Sequence, residues 1–273
     1  MRRMRRRAQE EGRQVDAPPL IALLTDFGTQ DYYVGAMKGV ILSINRRASI
    51  VDLSHEVHPQ DVMTAYFLLQ NSYKHFPAGT IFVAVVDPGV GSPRHILCVE
   101  TECHLFLAPD NGTLGFLERD ARRIFRVTNR RLMLGSISAT FHGRDIFAPV
   151  AAHLSLGLDL ERLGPRTRTM ERLSARPIEA SSEGHLLGQV VTIDRFGNLV
   201  TDIRGDRVDG ASEVRVGRAR IQGVSRTYAD GKKGAALAYV GSAGTLEIAV
   251  AHGSAAKKLK IARGETVQVI RKS

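Results

Sequence analysis

The 273-residue sequence has two cysteines, no tryptophan and no apolar run long enough to cross a membrane. A helix that spans a bilayer needs about 18 to 20 consecutive apolar residues, so we expect no membrane contact. Two cysteines, Cys98 and Cys103, cannot cross-link a small secreted scaffold or complete a four-cysteine zinc site. We therefore expect a soluble protein of the reducing cytoplasm.

The common motifs of phosphate, acyl and metal chemistry are also missing. The chain has no G-x-x-x-x-G-K-[ST] loop, no G-x-S-x-G elbow and no H-E-x-x-H site. Gly89-Val90-Gly91 begins like a dinucleotide-binding fingerprint, but Ser-Pro-Arg follows where the third glycine and a helix belong. The nine histidines show no metal-ligand spacing that pairs with the cysteines. We expect neither a metal nor a cofactor.

Positive charge is abundant, with a formal net charge of +10, which at first favours a nucleic-acid partner. Residues 1–16 carry six arginines against three acidic residues, a net charge of +3, and show no apolar period. We expect residues 1–18 to form a disordered basic tail. Because no nucleic-acid-binding motif and no interleaving of basic and aromatic residues follows, we expect no nucleic-acid partner.

The first half of the chain alternates strand and helix patterns. Apolar runs predict strands, and apolar residues at helical spacing predict helices. The predicted strands cover residues 20–25, 49–53 and 80–86, and the predicted helices cover residues 33–44 and 60–74. This alternation predicts a Rossmann-like α/β domain with a parallel-rich sheet over residues 19–175.

The residue pattern of the second half differs from that of the first. A segment rich in Arg, Pro, Ser and Glu separates them, and within it we predict a linker at residues 176–184. Beyond it, short β-type segments alternate with Gly, Asp and Ser. This pattern predicts a small antiparallel sheet or barrel over residues 185–273.

Two aspartates follow predicted strands of the first domain. Asp26 comes directly after the first strand and Asp87 after the third, each with glycine close behind. In α/β sheets, ligands bind at the carboxyl edge, where such side chains gather. Turn formation is the competing explanation, because Asp, Gly and Pro also shape turns.

Five polar clusters together resemble one family. They are Thr25 to Asp31, Asp87 to His95, Ala108 to Gly112, Phe141 to Phe147 and Ile193 to Leu199. Their order and spacing resemble the S-adenosyl-L-methionine (SAM) hydrolases that form adenosine, also called SAM hydroxide adenosyltransferases. These enzymes share a fold with the SAM-dependent fluorinases and chlorinases. The resemblance runs from about Ile21 to Val269.

The resemblance implies an N-terminal α/β domain, a C-terminal β-barrel and a homotrimer whose active sites lie between domains of neighbouring subunits. It implies the reaction of SAM with water to adenosine and L-methionine, with SAM as substrate. The catalytic positions are Asp87, Arg94 and His142. The fluorinase has tyrosine at the position of Asp87 and serine at that of Gly143, so the sequence favours hydrolysis.

The resemblance also assigns binding positions. Asp26 corresponds to the carboxylate that holds the ribose hydroxyls, and Asp31 and Asp194 correspond to acidic positions around the methionine ammonium. The remaining binding positions are Asp87 beside the reacting centre, Phe196 and Tyr228 against adenine, Asn198 at its edge, and Ser242, Glu247 and Val250 in the barrel domain. Two departures from the fluorinase, Ala243 for an arginine and Gln60 for a tryptophan, change the pocket wall and leave the pairing of the methionine carboxylate open.

Two other functions compatible with this fold remain open. A chlorinase would convert SAM and chloride to 5′-chloro-5′-deoxyadenosine. A non-catalytic sensor would bind SAM or adenosine without turnover.

Overall fold

The computed structural model describes residues 17–173, 179–180, 185–208 and 211–271. The predicted basic tail lies outside the described residues up to position 16, as does most of the predicted linker. The chain divides into two compact units, one ending at Leu173 and one beginning at Ser174.

The first unit combines seven described strands with three α-helices. The strands are β1 (Leu20–Thr25), β2 (Ser49–Ser54), β3 (Ile81–Val85), β4 (Ile96–Glu100), β5 (Leu105–Pro109), β6 (Arg123–Arg126) and β7 (Arg166–Thr167). The helices are α1 (Tyr33–Ile44), α2 (Val62–Ser72) and α3 (Ala148–Ser155), and a π-helical turn, Gly143–Phe147, leads into α3. Within the described residues of both units, no helix has the length and apolar character of a membrane span.

The sheet of the first unit is mixed, with the strand order β2-β1-β3-β5-β4-β6-β7. Strands β2, β1, β3 and β5 pair in parallel, as the alternation of strand and helix predicts. Strands β4, β6 and β7 pair antiparallel with their neighbours. The alternation of strand and helix along the chain ends at β3. Strands β4 and β5 are joined by a short loop, which imposes antiparallel pairing on them.

Alternate residues of β1 pack on opposite faces of this sheet, so both faces are buried. Ile21 and Leu23 belong to the core beneath α1 and α3, whereas Ala22 and Leu24 belong to the core beneath α2. A strand buried on both sides needs apolar residues throughout, which explains the continuous run at residues 20–24. The sheet and the helices on its two faces form three layers. The carboxyl ends of the parallel strands lie together at one edge of the sheet.

The second unit is an antiparallel, barrel-like sheet. Its described strands are β8 (Glu179–Ala180), β9 (Leu186–Ile193), β10 (Leu199–Arg204), β11 (Ala211–Val216), β12 (Ala219–Gln222), β13 (Ala236–Val240), β14 (Thr245–Val250) and β15 (Thr266–Arg271). The order is β12-β11-β15-β9-β10-β14-β13, with β8 beside β9. A bridge between Ser225, just after β12, and Tyr239 in β13 brings the two sheet edges together. A short helix, α4 (Ala255–Leu259), follows β14.

A buried histidine lies in the aromatic core beneath α2. His104 is 5% exposed, and its ring makes edge contacts with Tyr73, Phe82 and Phe106. Burial lowers the pKa of His104 to about 4. The imidazole is therefore neutral in the folded protein under conditions where an unfolded chain would take up a proton.

We predict that His104 makes folding sensitive to acid. Between about pH 6.5 and pH 4 the unfolded chain binds a proton at this position and the folded chain does not, so stability falls as pH falls. The free energy of unfolding, measured with urea at pH 7 and pH 4.5, should be lower at pH 4.5 in the wild type. We expect His104→Phe to make this decrease smaller by on the order of 2 kcal/mol. His75→Gln, at an exposed histidine, should leave the pH dependence as in the wild type. Equal pH dependence in wild type and His104→Phe would contradict the prediction.

Candidate active site

A pocket lies at the carboxyl edge of the parallel strands. Thr25, the last residue of β1, pairs in register with Val85, the last residue of β3, so the residues that follow them are neighbours. Asp26 and Asp87 both line the pocket, which has a volume of about 310 Å³. The other lining residues are Phe27, Tyr33, Pro59, Gln60, Val85, Val90, Thr140, His142 and Gly143.

Arg94 forms a two-point ion pair with Asp87. Its Nε donates to Oδ1 at 2.6 Å, and its Nη2 donates to Oδ2. The two side chains are 10% and 5% exposed, so water screens their attraction weakly. Successive turns after β3 fold the chain back, because Val90 donates to the carbonyl of Asp87 and Ser92 donates to that of Gly89.

Gly91 allows this turn to pack closely. Its φ of +79° lies in the left-handed region that favours glycine. A Cβ there would lie 2.7 Å from the carbonyl oxygen of Ala139, which no other residue could accommodate without movement. Gly91, the second glycine of the sequence that resembles a dinucleotide fingerprint, therefore serves the turn that returns Arg94 to Asp87.

His142 joins this ion pair. Its Nδ1 lies 3.2 Å from Nη2 of Arg94. A guanidinium can only donate, so Nδ1 is the acceptor and the proton of the neutral imidazole is on Nε2. Burial and the positive charge of Arg94 lower the pKa of His142, which favours this neutral form.

The π-helical turn that begins after His142 fixes the position of the imidazole. Asp145 within this turn is fully buried; its Oδ2 accepts the backbone N–H of Ser138 at 2.8 Å and its Oδ1 accepts Nε of Arg144 at 2.6 Å. Burial acts to raise the pKa of Asp145, but the hydrogen bonds from Arg144 and Ser138 hold it below its usual value. Local π-helices are common at functional sites. Asp145 lies within the Phe141 to Phe147 cluster, but residue patterns did not identify it as a supporting residue.

Asp26 is held from the opposite side of the pocket. Its Oδ2 accepts the backbone N–H of Gln60 at 2.8 Å, and Gln60 has a φ of +65°. Burial raises the pKa of Asp26, with a further contribution from the negative charge of Asp87. Side-chain patterns cannot reveal a backbone donor, so the sequence analysis noted Gln60 only as a wall residue.

Asp31 lies on the same loop but is placed differently. It is exposed and is not among the described residues that line the pocket. The rings of Phe27, Tyr33 and Phe141 instead form an aromatic cluster at this end of the pocket. The assignment of Asp31 to the methionine end stays a prediction.

In the second unit, Asp194 organises a tight turn. Its Oδ1 accepts the backbone N–H groups of Phe196 and Asn198, and its Oδ2 accepts the side-chain amide of Asn198 at 2.8 Å. Gly197 completes the turn with a φ of +85°. The ring of Phe196 is left 77% exposed, whereas Oδ1 of Asn198 is buried without a hydrogen-bond partner among the described residues.

A second group in this unit surrounds Glu247. Tyr239 donates to Glu247 at 2.7 Å, and burial together with the negative charge of Asp194 raises the pKa of Glu247. The hydroxyl of Tyr228 donates to the carbonyl of Val250 at 3.1 Å. Because the rings of Tyr228 and Tyr239 also contact each other, these residues form one cluster.

Ser242 is exposed in the turn between β13 and β14. Tyr239 was missed by the sequence analysis, because a tyrosine in a strand is typical of packing. The roles assigned to the second-unit residues stay predictions.

No metal site accompanies these groups in the part of the chain that the structure describes. No set of three or more His, Cys, Asp or Glu residues is arranged there to hold an ion. Arg94 is the cation that contacts Asp87.

The architecture and the pocket define an α/β enzyme with its polar side chains at the carboxyl edge of a parallel sheet. Family models for the N-terminal and C-terminal domains of SAM hydroxide adenosyltransferase match residues 21–164 and 188–268. The chain belongs to this family.

Individual relatives cover nearly the whole chain. An (R)-S-adenosyl-L-methionine hydrolase of Thermus thermophilus is 40% identical over 92% of this chain and 99% of its own. A fluorinase of Actinopolyspora mzabensis is 28% identical over 93% and 97%. The crystal structure of an uncharacterized conserved protein from Thermotoga maritima superposes with a TM-score of 0.85, at 40% identity over 92% of this chain and 100% of that one.

We predict that the left-handed backbone of Gln60 is strained. Gln60→Gly should keep the free energy of unfolding within about 0.5 kcal/mol of wild type or raise it, whereas Gln60→Val should lower it by about 1 to 2 kcal/mol. Urea denaturation measures both. The same two substitutions, to glycine and to valine, at Gln30 serve as the control. Gln30 is exposed and has no positive φ, so glycine should not be preferred there. Valine tolerated at position 60 as well as glycine would contradict the prediction.

Proposed function

We propose that this protein hydrolyses S-adenosyl-L-methionine to adenosine and L-methionine by in-line attack of water at the ribose C5′. The observation that carries the proposal is the hydrogen-bonded set of Asp87, Arg94 and His142, of which Asp87 and His142 line one pocket with Asp26. The names of the relatives specify the R configuration at sulfur, and we propose (R)-SAM as the substrate.

The chemistry needs little beyond an oriented water molecule. Attack at C5′ expels methionine as a neutral thioether from a sulfonium, so the leaving group needs neither a proton nor a Lewis acid. Holding the water in line with the C–S bond supplies much of the advantage over solution. We accordingly propose that the enzyme uses no metal or cofactor and that SAM is the substrate.

Each member of the catalytic set has a distinct role in this proposal. Asp87 accepts a hydrogen bond from the attacking water and takes up its proton as the C–O bond forms. Arg94 fixes both oxygens of that carboxylate, and Nε2–H of His142 is available to stabilise the developing hydroxide. A neutral histidine suits this role because it donates without adding positive charge beside the cationic substrate.

Substrate recognition follows the family positions. Asp26 accepts the ribose hydroxyls, and Asp31 and Asp194 lie around the methionine ammonium. Phe196 and Tyr228 flank adenine, and the buried Oδ1 of Asn198 is available to accept from the adenine amino group. Ser242, Glu247 and the backbone of Val250 complete the site.

The assembly and the compartment are part of the proposal. We propose that the protein is a homotrimer with active sites at subunit interfaces, that its first unit has Rossmann-like topology and that its second unit is a closed small barrel. Support for the assembly comes from the exposed ring of Phe196, which a neighbouring subunit would cover. The free thiols of Cys98 and Cys103 agree with a reducing cytoplasm.

Product analysis with the separate sulfur epimers tests the function. We expect (R)-SAM to give equimolar adenosine and methionine, and (S)-SAM to react at least about tenfold more slowly, because reversing the pyramidal sulfur redirects the methionine chain. Chromatography at several chloride concentrations provides the measurement. Chlorodeoxyadenosine as the main product would identify a chlorinase, and tight binding of SAM without any product would identify a sensor. Either result would overturn the proposal.

We predict that Asp87→Asn lowers kcat at least about 100-fold, because an amide cannot take up the proton of the attacking water. Steady-state adenosine release gives kcat, and calorimetric titration with adenosine shows whether the pocket remains intact. Asp120→Asn, at an exposed carboxylate, is the matched control and should keep wild-type turnover. Near-normal kcat in Asp87→Asn would remove Asp87 from the mechanism.

A further inference from the structure

A buried histidine lies directly behind the Asp26 loop. The side chain of His55 is 2% exposed, and its Nδ1 lies 2.9 Å from Oγ1 of Thr25, which is itself fully buried. Its Nε2 lies 3.0 Å from Oδ1 of Asp52. His55 is not among the described residues that line the pocket, so direct contact with a ligand does not explain this arrangement.

Thr25 and Asp52 contact the two ring nitrogens of His55. Oγ1 of Thr25 accepts the backbone N–H of Phe27 at 3.2 Å, which leaves its own proton to be donated. In the neutral imidazole, the carboxylate of Asp52 3.0 Å from Nε2 favours the proton on that nitrogen, and Nδ1 then accepts from Thr25. The contacts thus run from Thr25 through His55 to Asp52, the last of them a close contact at 3.0 Å without hydrogen-bond alignment.

Asp52 is held in turn by Lys38. Nζ of Lys38 donates to Oδ2 of Asp52 at 2.7 Å. Although burial acts to raise it, the hydrogen bond from Lys38 and the close contact with His55 hold the pKa of Asp52 below its usual value. The carboxylate therefore stays ionised and continues to orient the imidazole.

This chain fixes the backbone on both sides of Asp26. Thr25 precedes Asp26 and anchors the N–H of Phe27, whereas the carbonyl of His55 accepts the N–H of Gly28 at 2.8 Å. The loop from residue 25 to residue 28 is therefore attached at two points to the end of β2. Within this anchored segment, Asp26 and Phe27 line the pocket, and Asp26 supplies the carboxylate.

We propose that Thr25 and His55 are positioning residues for ribose recognition, and that they orient Asp26 towards the 2′- and 3′-hydroxyls of the nucleoside. The inference rests on the proposed function, in which Asp26 accepts those hydroxyls. It assigns the discrimination between ribose and deoxyribose to buried Thr25 and His55, oriented by the partly exposed Asp52, and none of the three lines the pocket.

The two nucleosides adenosine and 2′-deoxyadenosine test this role in the full chain. Calorimetric titration gives the dissociation constant of each, and their ratio isolates the 2′-hydroxyl. Wild-type protein should bind adenosine about tenfold or more tightly than 2′-deoxyadenosine, because a hydrogen bond to a carboxylate is lost. Thr25→Val keeps the shape of the side chain but removes the hydroxyl, and should reduce this ratio to about threefold or less.

A loss of general stability would have a different signature. It would weaken the binding of both nucleosides equally and leave the ratio unchanged. Thr25→Ser retains the hydroxyl and should restore the wild-type ratio. With SAM as substrate, Thr25→Val should raise KM and leave kcat within about twofold, since the water-activating groups are untouched.

A second variant protects the test against misfolding of Thr25→Val. Asp52 is 43% exposed, so Asp52→Ala is tolerated more easily, yet it removes the carboxylate that orients His55. It should reduce the nucleoside ratio at least about twofold. Glu56→Ala, at a neighbouring exposed residue, is the control and should keep the wild-type ratio.

The outcomes separate the two proposals. A wild-type ratio in both Thr25→Val and Asp52→Ala overturns the positioning role and leaves the proposed function intact. Equal binding of the two nucleosides by wild-type protein overturns ribose recognition by Asp26 and the positioning role with it. A reduced ratio in the variants, with rescue by Thr25→Ser, supports the inference.

Discussion

Asp26 and Asp87 lie at the ends of adjacent parallel strands, and their negative charges repel each other across a half-buried pocket. Such a pair is stable only with a counter-charge or with donors close by. Arg94 supplies the counter-charge to Asp87, and the N–H of Gln60 supplies a donor to Asp26. The turn after β3, the left-handed residue before α2 and the position of His142 all follow from this requirement.

The carboxylates of Asp87 and Asp26 are held by different donors, and this difference agrees with their different proposed roles. Arg94 holds both oxygens of Asp87, which fixes the orientation of this carboxylate towards the proposed attacking water. Asp26 receives only backbone donors among its described partners, and its raised pKa shows that its charge is less well compensated. A cationic substrate would supply the missing compensation when it binds. The basic net charge of the chain is compatible with this, because salt screens distant charges beyond about 8 to 10 Å.

Residue patterns predicted the parts of the structure that depend on local sequence. Apolar periodicity predicted β1 and α1, and the position of Asp26 and Asp87 after strands predicted that they would meet. The antiparallel half of the first sheet was not predicted, because strand pairing depends on loop length and register. The backbone donor at Gln60 and the burial of His55 were also not predicted, because backbone conformation and long-range contacts cannot be recognised from residue type.

Gly143 has a consequence for how function diverges within this family. A Cβ at this position would lie 3.0 Å from the ring of Phe27 and 3.1 Å from the sulfur of Met37. Serine, which the resemblance places here in the fluorinases, therefore fits only if these neighbours shift or change. The side chains of Phe27 and Met37 must give by a few tenths of an ångström to admit a side chain at position 143. Residue choice at position 143 is thus coupled to the packing of the side chains around it.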